Sequence, residues 1–292
     1  STSRRQRQMC IRDRDIDCMI YWIETYHLDG IRLDNKERIE SFRKVAGNAY
    51  PDIIYDYTWN TTGVNKLIDY MRTSPDRRES FVDYVSSVRG FISEENQIMA
   101  MSHDEVAYNT GSYIEKMPGG YEDKYADLRI LYGLSMFLPG KKLMFMGQEL
   151  GMLGGFDGNH YIDWSVLEFD ANKYIQKYVK ELNALYLAEP ALYESEKLPF
   201  VFSEHQEPHT VCFTRAGASG GRLFVGCNFG TTDIKNYSLV TGETGTYKEI
   251  FSSDAMKYGG EGKNNKQQKA AKDGLVEIFL PALSIAVFKK VK

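Results

Sequence analysis

Residues 96–106 read NQIMAMSHDEV, a short apolar run that closes on a serine, a histidine and two acids. The run predicts a strand over its first half, and the polar residues that follow predict its end. The flanks decide what kind of sheet it joins. Upstream, RRESFVDYVSSVRGFI (77–92) has helical spacing; downstream, YEDKYADLRILYGLSMFL (121–138) predicts a long helix stopped by Pro139-Gly140. A further apolar strand, KKLMFMGQE (141–149), comes next. Strand and helix in alternation indicate parallel strands joined by crossover helices.

The same alternation extends outward on both sides. Ile16, Met19, Ile20, Ile23, Tyr26 and His27 fall at helical spacing, followed by a short expected strand GIRLD (30–34) and a helix ERIESFRKVA (37–46). DIIYDYTW (52–59) predicts a strand, GVNKLIDYMRT (63–73) a helix, and NKYIQKYVKELNALYLAE (172–189) the last helix. Beyond about residue 197 only strands remain: FVFSEH, HTVCFTRAG, GRLFVGCNF, KNYSLV, GTYKEIFSS, LVEIFL and SIAVFKKV. They predict an antiparallel sandwich or barrel, with the polar stretch GGEGKNNKQQKAAKDG (259–274) as a mobile loop. The expected fold class is therefore α/β plus all-β. A partial (β/α)8 TIM-type barrel, later strands only, occupies 16–197, and a C-terminal antiparallel β-sandwich occupies 198–292. A closed barrel of this kind takes about 250 residues, so an open parallel sheet is the alternative.

The lead STSRRQRQMCIRDRD (1–15) is polar and patternless, and is expected to be disordered or foreign to the domain: a basic arm, or translated read-through fused to an incomplete gene. Composition narrows the classes. The 292 residues are 42% hydrophobic, 13% aromatic and 26% charged, with net charge -4, which does not point to nucleic acid or an anionic membrane. No apolar run reaches the roughly 20 residues of a membrane helix. Cys10, Cys18, Cys212 and Cys227 lack the spacing of a zinc site. Cys212 and Cys227 pair if their strands are neighbours; two buried thiols in a cytosolic protein is the plainer reading. The surplus of tyrosine, 20 residues, suits stacking on sugar rings as well as ordinary cores.

In a parallel sheet, reactive groups gather at the C-terminal strand ends. Three expected strand ends carry charge: Arg32 and Asp34, His103 and Asp104, and Glu149. Each acid alone reads as a helix cap or an ion pair. Several on one rim fit glycoside chemistry, in which one carboxylate attacks the anomeric carbon and a second, protonated, releases the leaving oxygen. Arg32 and Asp34 share a face of an extended chain, and a guanidinium beside a carboxylate keeps it ionised.

These stretches resemble a known family. YWIETYHLDGIRLD (21–34) resembles the fourth-strand motif of the α-amylase superfamily (glycoside hydrolase family 13), and more narrowly the 1,4-α-glucan (glycogen) branching enzymes. YDYTWN…LIDYM, MSHDEV, GSYIEKMPGGYEDKYADLRILYG, PGKKLMFMGQELG, IDWSVLE and FSSDAMKYGG follow that family's pattern in order. The resemblance covers nearly everything after residue 16 and is to the C-terminal part of the family only. It implies that Asp34 is the nucleophile and Arg32 its clamp. It implies that His103 and Asp104 grip sugar hydroxyls and stabilise the transition state. Tyr57 and Trp59 would face the glucan or pack the core, and Glu149 would orient its neighbours. It also implies α-1,4-glucan or glycogen as partner, with no metal or organic cofactor.

The sequence departs from the pattern twice. The family's early strands, with their Asp…Asn-His motif, have no counterpart, as in a chain truncated at its start. Between IRLD and YDYTWN the usual segment is shorter by roughly fifty residues, and the general acid/base Glu is gone. Asp56, Glu37, Glu40 and Glu105 are poor substitutes by position. Three readings stay open: a branching enzyme fragment or amylase-type hydrolase, a catalytically inactive glucan-binding protein, and a misassembled reading frame without function. Oligomeric state is not encoded in any of these motifs.

Overall fold

A computed structural model of the chain describes residues 2–28, 30–33, 36–47, 57–86, 97–107, 110–194, 201–202, 209–265, 268–269 and 273–291. The chain forms two compact units, Ser1–Tyr57 and Thr58–Lys292.

The first unit is a helical hairpin, α1 (Thr2–Tyr26) and α2 (Lys36–Ala46). Ile16, Ile23, Phe42 and Ala46 form its small core, with Met19, Ile20, Ile31 and Leu33 packed against it. The i, i+3, i+4, i+7 spacing from Ile16 puts these side chains on one face. An ion pair, Arg38 Nη2 to Asp15 Oδ2 at 2.8 Å, ties the helices outside that core. Two expectations change here. The helix begins at Thr2, not Ile16: the arginine-rich lead contains no glycine or proline, and Arg, Gln and Met favour helix. The expected strand at 30–34 carries no ladder over its described residues, 30–33. Its alternation is real, but it serves packing. Ile31 and Leu33 lean on the helices while Arg32 is exposed.

The second unit begins with a parallel sheet in the order β1-β2-β3, formed by β1 (Thr58–Trp59), β2 (Gln97–Met101) and β3 (Lys141–Met144). Trp59 pairs with Ile98 and Met101 with Met144. Helices α3 (Thr61–Arg72), α4 (Phe81–Ser86), α5 (Tyr113–Lys116), α6 (Tyr121–Phe137) and α7 (Asp170–Ala188) surround it in chain order. Asn60 starts α3: its Oδ1 accepts from the Gly63 amide at 2.8 Å, and its Nδ2 donates to Gln97 Oε1 at 2.7 Å. Helix α6 is buried all round from Asp127 to Phe137, where the run ILYGLSMF offers no polar face, while its charged first turn is exposed.

The rest is a two-layer β structure. Six antiparallel strands run in the order β4-β5-β6-β11-β8-β9: β4 (Val201–Phe202), β5 (Thr210–Ala216), β6 (Arg222–Asn228), β11 (Ser284–Lys290), β8 (Thr246–Ser252) and β9 (Gln268–Lys269). β7 (Ile234–Val240) and β10 (Leu275–Leu280) form the second sheet. Its strands β5, β6 and β11 are buried on both faces over most of their length, which is why β6 and β11 read as apolar runs. Phe224, Ala286 and Phe288 face β7 and β10; Val225, Ile285 and Val287 join the core that holds α6 and α7. That core runs unbroken from residues before 197 to residues after it. Gly133 permits the close approach of α6: a Cβ there would lie 2.8 Å from Ile285 Cγ2 and 2.9 Å from the Tyr178 hydroxyl.

The polar stretch expected to be mobile is instead pinned over residues 259–265. Asp254 accepts from the amides of Glu261 and Lys263 at 3.0 and 2.9 Å, and Asn265 exchanges two hydrogen bonds with the Phe279 backbone at 2.8 and 2.7 Å. Residues 268–269 then pair with β8. Side chains elsewhere satisfy the backbone of this stretch, so its low hydrophobicity did not forecast order. No helix of the described residues is long and apolar enough to cross a membrane.

The two C-terminal cysteines sit on neighbouring strands but on opposite faces. Cys227 lies opposite Val211, and Cys212 opposite Gly226. Cys212 belongs to the core between the sheets, Cys227 to the core beneath the helices, and both are free thiols. Burial pushes the Cys212 thiol up to about 12 and raises Cys227 as well. Both are expected to resist maleimide labelling in the folded protein and to react on unfolding. Mass spectrometry before and after denaturant checks this, and rapid labelling of either in the native state would contradict the packing.

Candidate active site

The three parallel strands end on one side, and β2 carries the charge there. After Met101 the chain enters the turn Ser102-His103-Asp104-Glu105, closed by the Val106 and Ala107 amides donating to the His103 carbonyl at 3.0 and 2.8 Å. The strand pairing continues to the rim, where the Phe145 amide donates to the Met101 carbonyl at 2.9 Å. His103 Nε2 lies 3.2 Å from Asp104 Oδ1, with the two side chains 48% and 61% exposed. The pair therefore faces outward, where a ligand can reach it. The Phe145 ring flanks His103 at 5.9 Å between centroids.

Beneath the pair the turn is built from buried polar groups. Glu105 Oε2 accepts from both the amide and the hydroxyl of Ser102, each at 2.9 Å. The Ser102 Oγ in turn accepts from the Asp104 amide at 3.2 Å. Ser102 and Glu105 are buried. Glu105 points inward, its charge acting on the buried Tyr113 phenol, which burial and that charge together push up. It is thus turned away from the exposed pair and bonded to Ser102. The loop that follows is held at two points: Lys116 Nζ donates to the carbonyls of Thr110 at 2.8 Å and of Gly111, and Glu115 accepts from the Ser112 amide at 2.6 Å.

The remaining expected residues are placed as follows. Trp59 is half-buried in β1, which pairs with β2, the strand that leads into the turn of His103 and Asp104. Arg32 and Tyr57 belong to the first unit, and both are exposed. Asp34 lies outside the described residues. Glu149 sits in the turn Gln148–Leu150 after β3, a turn fixed by the Tyr132 hydroxyl donating to the Gln148 carbonyl at 2.7 Å. It lines an open cleft of about 890 Å³ with Met144 and residues of α7, among them Gln176, Lys177 and Lys180. Among the described residues no hydrogen bond joins Glu149 to His103 or Asp104. The structure thus brings together His103, Asp104 and their support. Sequence reasoning missed the roles of Ser102 and Glu105, although Ser-x-x-Glu is the capping-box pattern that signals such a turn. It also missed the fully buried pair Arg78–Asp127. Among the described residues no group of His, Cys, Asp and Glu is arranged to hold a metal ion.

Known proteins match this chain in sequence and in fold. Residues 201–291 match the family described as "Alpha amylase, C-terminal all-beta domain". The 1,4-alpha-glucan branching enzyme GlgB of Bacillus cereus (strain Q1) is 30% identical over 335 residues, covering 97% of this chain and 52% of the relative. The same enzyme of Bacillus thuringiensis subsp. konkukian is 29% identical with the same coverage. The chain thus spans about half the length of the curated relatives it matches. The 335-residue match exceeds the 292 residues of this chain, so the relative carries residues that have no counterpart here. In fold, the α-amylase of Geobacillus thermoleovorans, complexed with acarbose, superposes with a TM-score of 0.72 at 14% identity, covering 98% of this chain and 65% of that one. A debranching enzyme from Nostoc punctiforme superposes with a TM-score of 0.69 at 16% identity, covering 96% and 61%.

Proposed function

Because this chain belongs to the α-amylase superfamily, related there to the C-terminal part of the branching enzymes, we propose that it carries the later half of a glucan-branching site. The reaction is retaining transfer. A carboxylate oxygen of Asp34 attacks the anomeric carbon, the α-1,4 C–O bond breaks, and the leaving oxygen takes a proton from a general acid. The 6-hydroxyl of another glucan then attacks the same carbon and gives up its proton to that group, freeing Asp34 and leaving an α-1,6 branch. Arg32 holds Asp34 ionised; His103 and Asp104 accept and donate hydrogen bonds to the distorted sugar, and these strengthen as its ring flattens. Tyr57 and Trp59 offer ring faces to the glucan. The observation that carries the reading is the exposed His103–Asp104 pair at the C-terminal end of a parallel strand. The domain division at 197/198, the glucan partner and the cytoplasmic setting belong to the same proposal.

The general acid is the weak point of that scheme. Between Asp34 and YDYTWN the only glutamates are Glu37 and Glu40, both exposed on α2. Loss of a proton-transfer group costs about 10²–10⁴-fold. This favours, as a second reading, a glucan-binding chain with little or no catalysis; a hydrolase is the third, if water reaches the intermediate.

Retardation in a glucan-containing native gel, alongside the iodine stain of amylose, separates them. Glucan should retard the chain, and Asp104→Asn should weaken binding by about tenfold. A stain change that Asp34→Ala abolishes supports transfer; retardation without a stain change selects the binder. Stain-changing activity that survives Asp34→Ala, or no retardation at all, overturns the proposal.

A further inference from the structure

The buried turn under the His103–Asp104 pair does more than cap a strand. Ser102 Oγ lies 2.9 Å from Glu105 Oε2 and 3.4 Å from Asp104 Oδ2. A hydroxyl carries one proton and two lone pairs. It gives the proton to one carboxylate only. The shorter distance, and the low dielectric around buried Glu105, favour Glu105. With the proton committed inward, a lone pair of Ser102 Oγ meets the Asp104 amide at 3.2 Å. Asp104 Oδ1 is engaged by His103 Nε2, and Oδ2, on a side chain 61% exposed, keeps its lone pairs for an acceptor role.

We infer that Glu105 is a positioning residue: by drawing the Ser102 proton inward, it keeps Asp104 Oδ2 available to a sugar hydroxyl. This inference rests on the glucan reading of the site. Without Glu105 the Ser102 hydroxyl turns to Asp104 Oδ2, the nearest remaining carboxylate oxygen. It then competes with the ligand. The Ser102 amide also loses its acceptor, which loosens the turn.

Three variants and two readouts test it. Glu105→Ala should weaken maltoheptaose binding, measured by calorimetry, by about tenfold. Glu105→Gln keeps a carbonyl oxygen for both Ser102 donors and should stay within about twofold of the wild type. Combining Ser102→Ala with Glu105→Ala should be no worse than Glu105→Ala alone, because the competing hydroxyl is gone and the two residues act as one unit. A purely structural role predicts additive loss in the double variant. Amide hydrogen exchange at Ser102 and Asp104 supplies the second readout: protection should fall in Glu105→Ala and return in Glu105→Gln. Unchanged protection in Glu105→Ala overturns the hydrogen-bond relay. Lost protection with unchanged affinity, in a chain whose Asp104→Asn variant does lose affinity, overturns the positioning role. If the wild type binds no maltoheptaose, the glucan reading has failed, and exchange judges the relay by itself.

Discussion

Asp127→Ala should cost the second unit about 3–5 kcal/mol of stability. At roughly 2–4 °C per kcal/mol for a domain of this size, its thermal midpoint should fall by about 6–20 °C. The reason is the position of Arg78. Its guanidinium and the Asp127 carboxylate have no exposed surface, and they meet in a bidentate fork, Nη1–Oδ1 at 3.0 Å and Nη2–Oδ2 at 2.7 Å. Arg78 also donates to the carbonyls of Phe229 at 3.1 Å, Met71 at 3.0 Å and Thr73 at 3.0 Å. One side chain thus joins the end of α3, the middle of α6 and the exit of β6. Burial pushes the Asp127 carboxyl above its ordinary range, and the Arg78 guanidinium pulls against that shift. Removing the carboxylate leaves a cation in the core without its counter-charge, and this penalty exceeds the net worth of the pair. Asp127→Asn, which keeps an acceptor oxygen for the guanidinium, should therefore cost less than Asp127→Ala. Calorimetry of both variants beside the wild type checks the order; a loss below about 1 kcal/mol for Asp127→Ala would contradict the buried pair.

Gly260→Ala should be the most damaging single methyl in the β layers. A Cβ at Gly260 would sit 2.3 Å from the Asp254 carbonyl oxygen, 2.4 Å from its carbon and 2.6 Å from its Cα. These are backbone atoms, so no rotamer relieves the clash. The turn must open, and Asp254 then loses the Glu261 and Lys263 amides. Overpacking of this kind costs about 1–3 kcal/mol, and lost acceptors for two amides add to it. Amide exchange at Glu261, Gly262 and Lys263 should rise, and proteolysis should begin within residues 259–265. Gly221→Ala, with nothing within 4 Å of the added methyl, is the control and should change stability by no more than about 0.5 kcal/mol. Equal effects at the two glycines would argue against the pinned turn.

Both expectations concern residues whose importance is invisible in one dimension. Arg78 sits in a polar run, TSPDRRES (73–80), that looks like any exposed linker, and Asp127 is one acid on a long helix. Their meeting is a contact between residues 49 positions apart. The turn at 259–265 is likewise ordered by Asp254, Asp233, Glu249 and Phe279, supplied by other segments. By contrast the run at 97–101, the long helix after Gly120 and the strands from 210 onward announce themselves, because period and apolar length are local properties. The expected strand at 30–34 shows the limit of that logic. Alternating Ile31 and Leu33 require an apolar surface on one side, and two helices met that requirement as well as a sheet would.

The candidate site divides in the same way. Residue order placed His103 and Asp104 at a strand end, and the resemblance to the branching enzymes implied a sugar ring as their ligand. Most of the elements, their parallel and antiparallel grouping, and the place of His103 and Asp104 just past a strand end were legible along the chain, since each follows from neighbouring residues. Packing set the rest: which faces Cys212 and Cys227 take, that Arg78 finds Asp127 in the core, and that Glu105 turns inward to hold Ser102. These outcomes depend on which buried polar groups find partners, and burial exists only once distant segments have packed.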